Sequence, residues 1–176
     1  MKFARQIALA VVALAIGFGG VLLFWAESND LPFFGKNAQF LKATELRVAQ
    51  GKSFPVADDS LRLVFEGHAS PIEVEAPFDE FDAGSMMAVR LHTDALPSGA
   101  KGTLYWRRAD TNKIHGAAIP RRAGATPLVD LSRATGWKGE ITDVRLILVG
   151  RPSSTVVLHG IELLPKTVGT RLETVV

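Results

Sequence analysis

The chain has 176 residues, twenty Lys plus Arg against eighteen Asp plus Glu, and no cysteine. With no cysteine it has no disulfide framework, thiolate metal site or lipidated thiol. Lys2 and Arg5 precede a long apolar run, and without them eighteen bases balance eighteen acids, so the rest of the chain has no net positive charge with which to hold nucleic acid.

That run extends from Ile7 to Ala26, twenty residues without a charge, with Glu27 and Asp30 just beyond it. As a helix it is about 30 Å long, the thickness of a bilayer's hydrocarbon core. The basic residues lie before it, so the positive-inside rule places residues 1–6 in the cytoplasm and everything after Glu27 on the far side. A cleaved secretory signal is the competing reading. Such signals have shorter apolar cores and small residues at the cut, whereas this run closes on Leu23, Phe24, Trp25 and Ala26. The expectation is an uncleaved anchor over residues 7–26 in an inner membrane, with lipid as its partner and the domain in the periplasm. Ala13 and Gly17, four apart, with Gly19 and Gly20, are small residues of the kind that let membrane helices pack closely.

Residues 27–42 combine Asn29, Pro32, Gly35 and Asn37 with Phe33, Phe34 and Phe40, and read as a juxtamembrane stalk. From residue 43 to 165 strand signals recur between turns. Thr44 to Ala49 is a weak first strand. Leu61, Leu63 and Phe65 alternate with Arg62 and Val64, and Ile72 and Val74 with Glu73 and Glu75. Met87, Val89 and Leu91 oppose Arg90 and His92; Leu104 and Trp106 oppose Tyr105 and Arg107. Val144, Leu146 and Leu148 oppose Arg145 and Ile147, and Ser154 to Leu163 brings Val157, Ile161 and Leu163 to the core. Turn residues at 97–99, 110–112, 136–139 and 150–153 separate these runs. No sustained helical period follows the anchor. Strands with one apolar face bury it against a second sheet, so an all-β, antiparallel sandwich of about eight strands is expected behind the single transmembrane helix. The tail 166–176 reads as an extra strand, a partner-binding strand or a disordered end.

Charge is unevenly spread. Eight acids lie between Asp58 and Asp82 against Arg62 alone, and six bases lie between Lys101 and Arg122 against Asp110 alone. These segments either pair across a sheet, face water separately, or offer a basic surface to an anionic glycan or a phosphate-bearing partner.

The strings Leu104-Tyr105-Trp106-Arg107, Val129-Asp130-Leu131-Ser132, Trp137-Lys138-Gly139-Glu140-Ile141 with Val144-Arg145-Leu146, and Val156 to Leu163 resemble the C-terminal half of a galactose-binding-like jelly roll, the β-sandwich of many carbohydrate-binding modules. The resemblance implies a jelly-roll fold and a glycan ligand. It also raises a structural calcium ion, for which Asp58, Asp59 and Asp82 are available donors that no spacing organises, so no cofactor is assigned. Arg90, His92, Tyr105, Arg107 and Arg145, on strand faces away from the core, and Trp137, in a glycine-flanked turn, form the candidate glycan-binding set. His68, His92, His115 and His159 are isolated from one another, and the Glu73–Glu75 pair is the one arrangement suggesting acid–base work, so a non-enzyme is expected. Together these point to an accessory module in envelope polysaccharide or exopolysaccharide assembly, with a polysaccharide, neutral or anionic, and a membrane glycosyltransferase or exporter as partners. The alternatives are a protein-interaction subunit that never touches sugar and, less favoured, a periplasmic hydrolase.

Overall fold

A computed structural model describes residues 17–21, 37–56, 59–67, 70–111, 113–120 and 126–175. Of the apolar run only Gly17–Val21 is included, and it is helical; the remainder of the expected anchor and the stalk up to Lys36 lie outside the described residues. Among the described residues no helix is long and apolar enough to cross a membrane.

The strands are β1 (Gln39–Lys42), β2 (Arg47–Gln50), β3 (Lys52–Val56), β4 (Ser60–Val64), β5 (Ile72–Ala76), β6 (Phe81–Asp82), β7 (Met86–Thr93), β8 (Lys101–Arg108), β9 (Ile114–Ala118), β10 (Leu128–Asp130), β11 (Glu140–Val149) and β12 (Thr155–Pro165). They form two antiparallel sheets. In the first the order is β10-β7-β12-β4-β3, with β1 beside β4 along the same edge of β12; in the second it is β2-β5-β11-β8-β9, with β6 beside β5 along β11. The long strands β7, β8, β11 and β12 are the ones with the clearest period-two alternation. Burying one face of each against the other sheet removes their apolar side chains from water, each worth about 1.5–3 kcal/mol when fully buried.

Leu63, Phe65, Ile72, Val74, Leu91, Leu104, Trp106, Leu146 and Ile161 meet between the sheets. At one end Trp106 lies edge-on to Trp137, 5.3 Å between centroids, and Trp137 also packs on Phe81. The Trp106 indole N–H donates to the Gly136 carbonyl at 3.2 Å. His115 stacks on the other face of this assembly, against Trp106. Gly136 has φ +83°, and a Cβ there would lie 2.3 Å from the His115 ring, so both the backbone conformation and the close approach require glycine.

Several expectations change. The first strand begins at Arg47, because Ala43–Glu45 makes a single 3₁₀ turn. Gln39–Lys42, read as stalk, is a strand paired with β12. β3 carries Pro55 and is tolerated because it is an edge strand, bonded only to β4. On β12 a register shift between Leu158 and Gly160 resets the alternation, so Val156 and Leu158 are buried on one side of it, Ile161 and Leu163 on the other, and Val157 is only half-buried. A second shift at Leu164 and Pro165 puts Met86 in the main core, while Met87 packs with Ala88 and Leu164 in a separate small cluster.

The tail is a helix, Val168–Val175, rather than a strand or a loose end. The Thr167 hydroxyl accepts from the Thr170 backbone N–H at 3.2 Å, satisfying one of the free donors of the first turn. Val168 and Thr170 are buried, and Arg90 pairs with Glu173 while Arg171 reaches Asp130 and Ser132, each at 3.2 Å. Eight residues span little more than two turns, too few to show a helical period in sequence. Docking on β7 and β10 supplies what propensity lacks.

Candidate functional site

The six candidate residues do not form one group. Arg90 and His92 lie on β7 in the first sheet; Tyr105 and Arg107 on β8, and Arg145 on β11, lie in the second. The two sets therefore stand on opposite outer faces of the sandwich. Of the three strands only β8 and β11 are neighbours, because β7 pairs with β10 and β12 whereas β8 pairs with β9 and β11.

Arg90 and His92 are both committed to Glu162 on β12: Arg90 donates to its carboxylate at 3.0 Å, and His92 Nε2 is 2.9 Å from the same oxygen. Phe40 closes over His92 edge-on. With Glu173 on Arg90 as well, these side chains hold β1, β7, β12 and the C-terminal helix together. Trp137, considered as a stacking surface, is 9% exposed and donates its indole N–H to the Met86 carbonyl at 3.0 Å; it belongs to the core.

The outer face of the second sheet is different. Pairing register aligns Arg47, Glu75, Arg145, Tyr105 and Gly116 in a row across β2, β5, β11, β8 and β9. Beside it run Glu73, Ile147 and Thr103 on one side and Asp143, Arg107 and Ile114 on the other. A bulge between Ile141 and Asp143 lets Ile141 return to the core while Asp143 stays outward next to Arg145. Glu73, Tyr105, Arg107, Ile114, Asp143, Arg145 and Ile147 line an open cleft of about 160 Å³, whose floor reaches the Trp106 backbone strand.

Arg145 is the hub of this face. Its Nη1 donates to Glu73 at 2.7 Å and lies 3.7 Å from Glu75, and its Nε donates to both oxygens of Asp143, at 3.1 and 2.9 Å. The hydrogen bond to Glu73, opposed by partial burial and reinforced by Asp143, raises the Arg145 pKa above the ordinary arginine range. The guanidinium's own titration removes this stabilisation only as pH climbs through the raised value, so Arg145 is a permanent cation in use. The same contacts engage Glu73 and Glu75 and remove the free carboxylate pair that acid–base catalysis would need.

Tyr105 is half-buried, and its ring lies across the bare backbone of Gly116; a Cβ on that glycine would be 2.9 Å from Cδ1 and 3.0 Å from Cε1 of the ring. A glycine on an edge strand opposite a tyrosine thus lets the ring lie down on the sheet, with Ile114, 57% exposed, beside it. Among the described residues the Tyr105 hydroxyl and the Arg107 guanidinium have no hydrogen-bond or ionic partner, and Arg107 Nε is closed to solvent. The arrangement offers an aromatic surface, apolar flanks and charged hydrogen-bonding groups in one shallow cleft, the chemistry that suits a sugar ring. Glu73, Asp143, Ile114, Ile147 and Gly116 enter the site only through register. Their one sequence signal is outward parity on strands whose neighbours the sequence does not name.

The acids available to a calcium ion have other partners where they are described. Asp59 pairs with Lys42 at 3.1 Å, Asp82 accepts from Gly84 at 3.1 Å, and Asp58 lies outside the described residues. Among the described residues no group of three or more His, Asp or Glu could hold a metal ion.

The fold is the jelly-roll β-sandwich found in carbohydrate-binding modules. A low-affinity xylan binding module, CBM86, from the gut symbiont Roseburia intestinalis is similar over 76% of this chain and 98% of its own, at 18% identity and a TM-score of 0.53. The glycosylation-associated protein (Gap123) complex from Streptococcus agalactiae is similar over 78% of this chain at 13% identity and a TM-score of 0.51; there the match spans 27% of the other chain. No protein-family profile and no curated protein matches the sequence.

Proposed function

We propose that this chain is a non-catalytic, membrane-tethered glycan-binding module that works on the periplasmic side of an inner membrane, beside the machinery that assembles or exports an envelope polysaccharide. The observation that carries the reading is the Tyr105 ring packed against the bare backbone of Gly116 in a cleft bordered by Arg107, Asp143 and Arg145. A ring face with hydrogen-bonding groups at its margin is how proteins grip pyranose sugars, whose axial C–H faces are apolar and whose edges are hydroxylated. The likeness in fold to a xylan binding module supports the same direction. Glu73 and Glu75 bound to Arg145 support a non-catalytic role. The apolar run over residues 7–26 supports the tether, which raises the local concentration of a weak binder at its polymer.

Titration calorimetry of the full chain in lipid nanodiscs against envelope polysaccharides tests the binding, with heat expected for at least one polymer and abolished by Tyr105→Ala. Silence across the whole panel would refute it. A periplasm-active reporter fused at the C-terminus tests the address.

A second reading, a subunit that contacts protein and not sugar, is favoured by the likeness to part of a chain in a glycosylation-associated complex. Crosslinking in native membranes that captures a protein at the Tyr105 face, with no glycan binding, would select it.

A further inference from the structure

Of the two cations that line the cleft, Arg107 and Arg145, Arg107 stands without an acid. Arg145 holds Glu73 and Asp143, and Arg47 lies 3.7 Å from Glu75. Asp143 stands directly across from Arg107 on β11, yet both its oxygens receive Arg145 Nε, so it is turned from its own cross-strand neighbour. Among the described residues the Arg107 side chain meets no acceptor, and its Nε is buried without one. The strongest partner for the planar fork of a guanidinium without an acid is a carboxylate held by two parallel hydrogen bonds.

The surroundings agree in sign. The β8–β9 hairpin carries Lys101, Arg107, Arg108 and Lys113 against Asp110, and Asp110 is taken by Arg108. The acids of the 58–82 segment that reach this sheet, Glu73 and Glu75 on β5 and Asp82 on β6, are on strands that β11 separates from the hairpin. Positive charge therefore remains unbalanced on the Tyr105 side of the cleft. Tyr105 and Arg107 are two residues apart on one strand and on the same face, about 6.8 Å along the sheet. A sugar ring resting on the first would place a group attached to its rim at the second.

We infer that the cleft is selective for an acidic glycan, and that Arg107 receives the carboxylate of a uronic acid unit whose ring lies on Tyr105. This rests on the glycan-binding reading above and names the ligand class for the same site. Arg145 holds Glu73 and Asp143, which accept from ring hydroxyls, and the unpaired guanidinium discriminates.

The test uses the full chain in nanodiscs with oligomers of galacturonate, mannuronate and glucuronate, and the same oligomers with their carboxylates chemically reduced to alcohols. At least one acid form is expected to bind ten-fold or more tightly than its reduced form, with the advantage shrinking as salt is raised. Arg107→Gln should make the two forms bind alike, and Arg107→Lys should restore part of the difference. If reduced and acid forms bind equally to the unmodified chain, glycan binding stands and the acidic selectivity is overturned. If neither form of any oligomer binds, nor any other polysaccharide, both readings fall. The comparison within the unmodified chain decides the matter even where a variant fails to fold.

Discussion

Gly116 sits opposite Tyr105 in the β8–β9 pair, and its missing side chain is the space the tyrosine ring occupies. The relationship makes a surface feature out of an absence, and it is directly testable. Gly116→Ala puts a methyl group within 2.9 Å of the ring and lifts Tyr105 from the sheet. Because the ring is half-buried and free to swing out, stability should change by less than about 1 kcal/mol. Glycan affinity should fall several-fold by calorimetry, short of the complete loss expected for Tyr105→Ala.

Removing the hub of the same face should act on stability. Arg145→Ala leaves Glu73, Glu75 and Asp143 close together with no shared cation, a loss of about 1–2 kcal/mol once solvent screening of these partly exposed groups is allowed for. Urea denaturation at neutral pH measures it. The deficit should shrink in acid, where the three carboxylates are protonated and no longer repel one another. A deficit unchanged between neutral and strongly acidic pH would contradict the charge network described.

Trp137 should behave as a core residue. Trp137→Ala opens a cavity between Phe81 and Trp106 and is expected to cost about 3–5 kcal/mol. Trp137→Phe keeps most of the packing but leaves the Met86 carbonyl without its donor, a cost of about 1–3 kcal/mol. Denaturant midpoints distinguish the two. In the folded fraction of Trp137→Phe, glycan affinity should equal that of the parent chain.

The C-terminal helix should be a separable brace. Truncation after Lys166 removes Glu173 from Arg90 and Arg171 from Asp130 and Ser132, and uncovers the parts of β7 and β10 on which the helix docks. A loss of about 1–2 kcal/mol translates to a Tm lowered by roughly 2–8 °C for a domain of this size. Increased binding of a hydrophobic dye and unchanged affinity at the opposite sheet are expected alongside it.

Much of the core was legible. Trp106 beside Leu104, Leu146 beside Val144 and Leu148, and Val89 beside Leu91 lie inward as their alternation requires. Strands without such alternation were not legible: β3 contains a proline, β9 is Ile-His-Gly-Ala-Ala, and β1 is four residues at the end of a stretch whose Pro32, Gly35 and Asn37 read as a stalk. Bulges at His159 and near Pro165 break the period-two rule locally, which is why Val157 and Met87 were assigned to the wrong surroundings. Of the candidate residues, parity placed Tyr105, Arg107, Arg145, Arg90 and His92 outward, as they are, but says nothing about which sheet a strand joins, and the turn that suggested Trp137 gives no sign of its burial.

The amino-acid order alone determines that these strands are one-sided and must close into a sandwich, since that information is carried between adjacent residues in each strand. Which outward residues share a face was decided only when β11 took its place between β5 and β8. Pairing between segments some seventy residues apart, as in Glu73 and Arg145, depends on the hydrogen-bond register of the whole sheet, which no local pattern encodes.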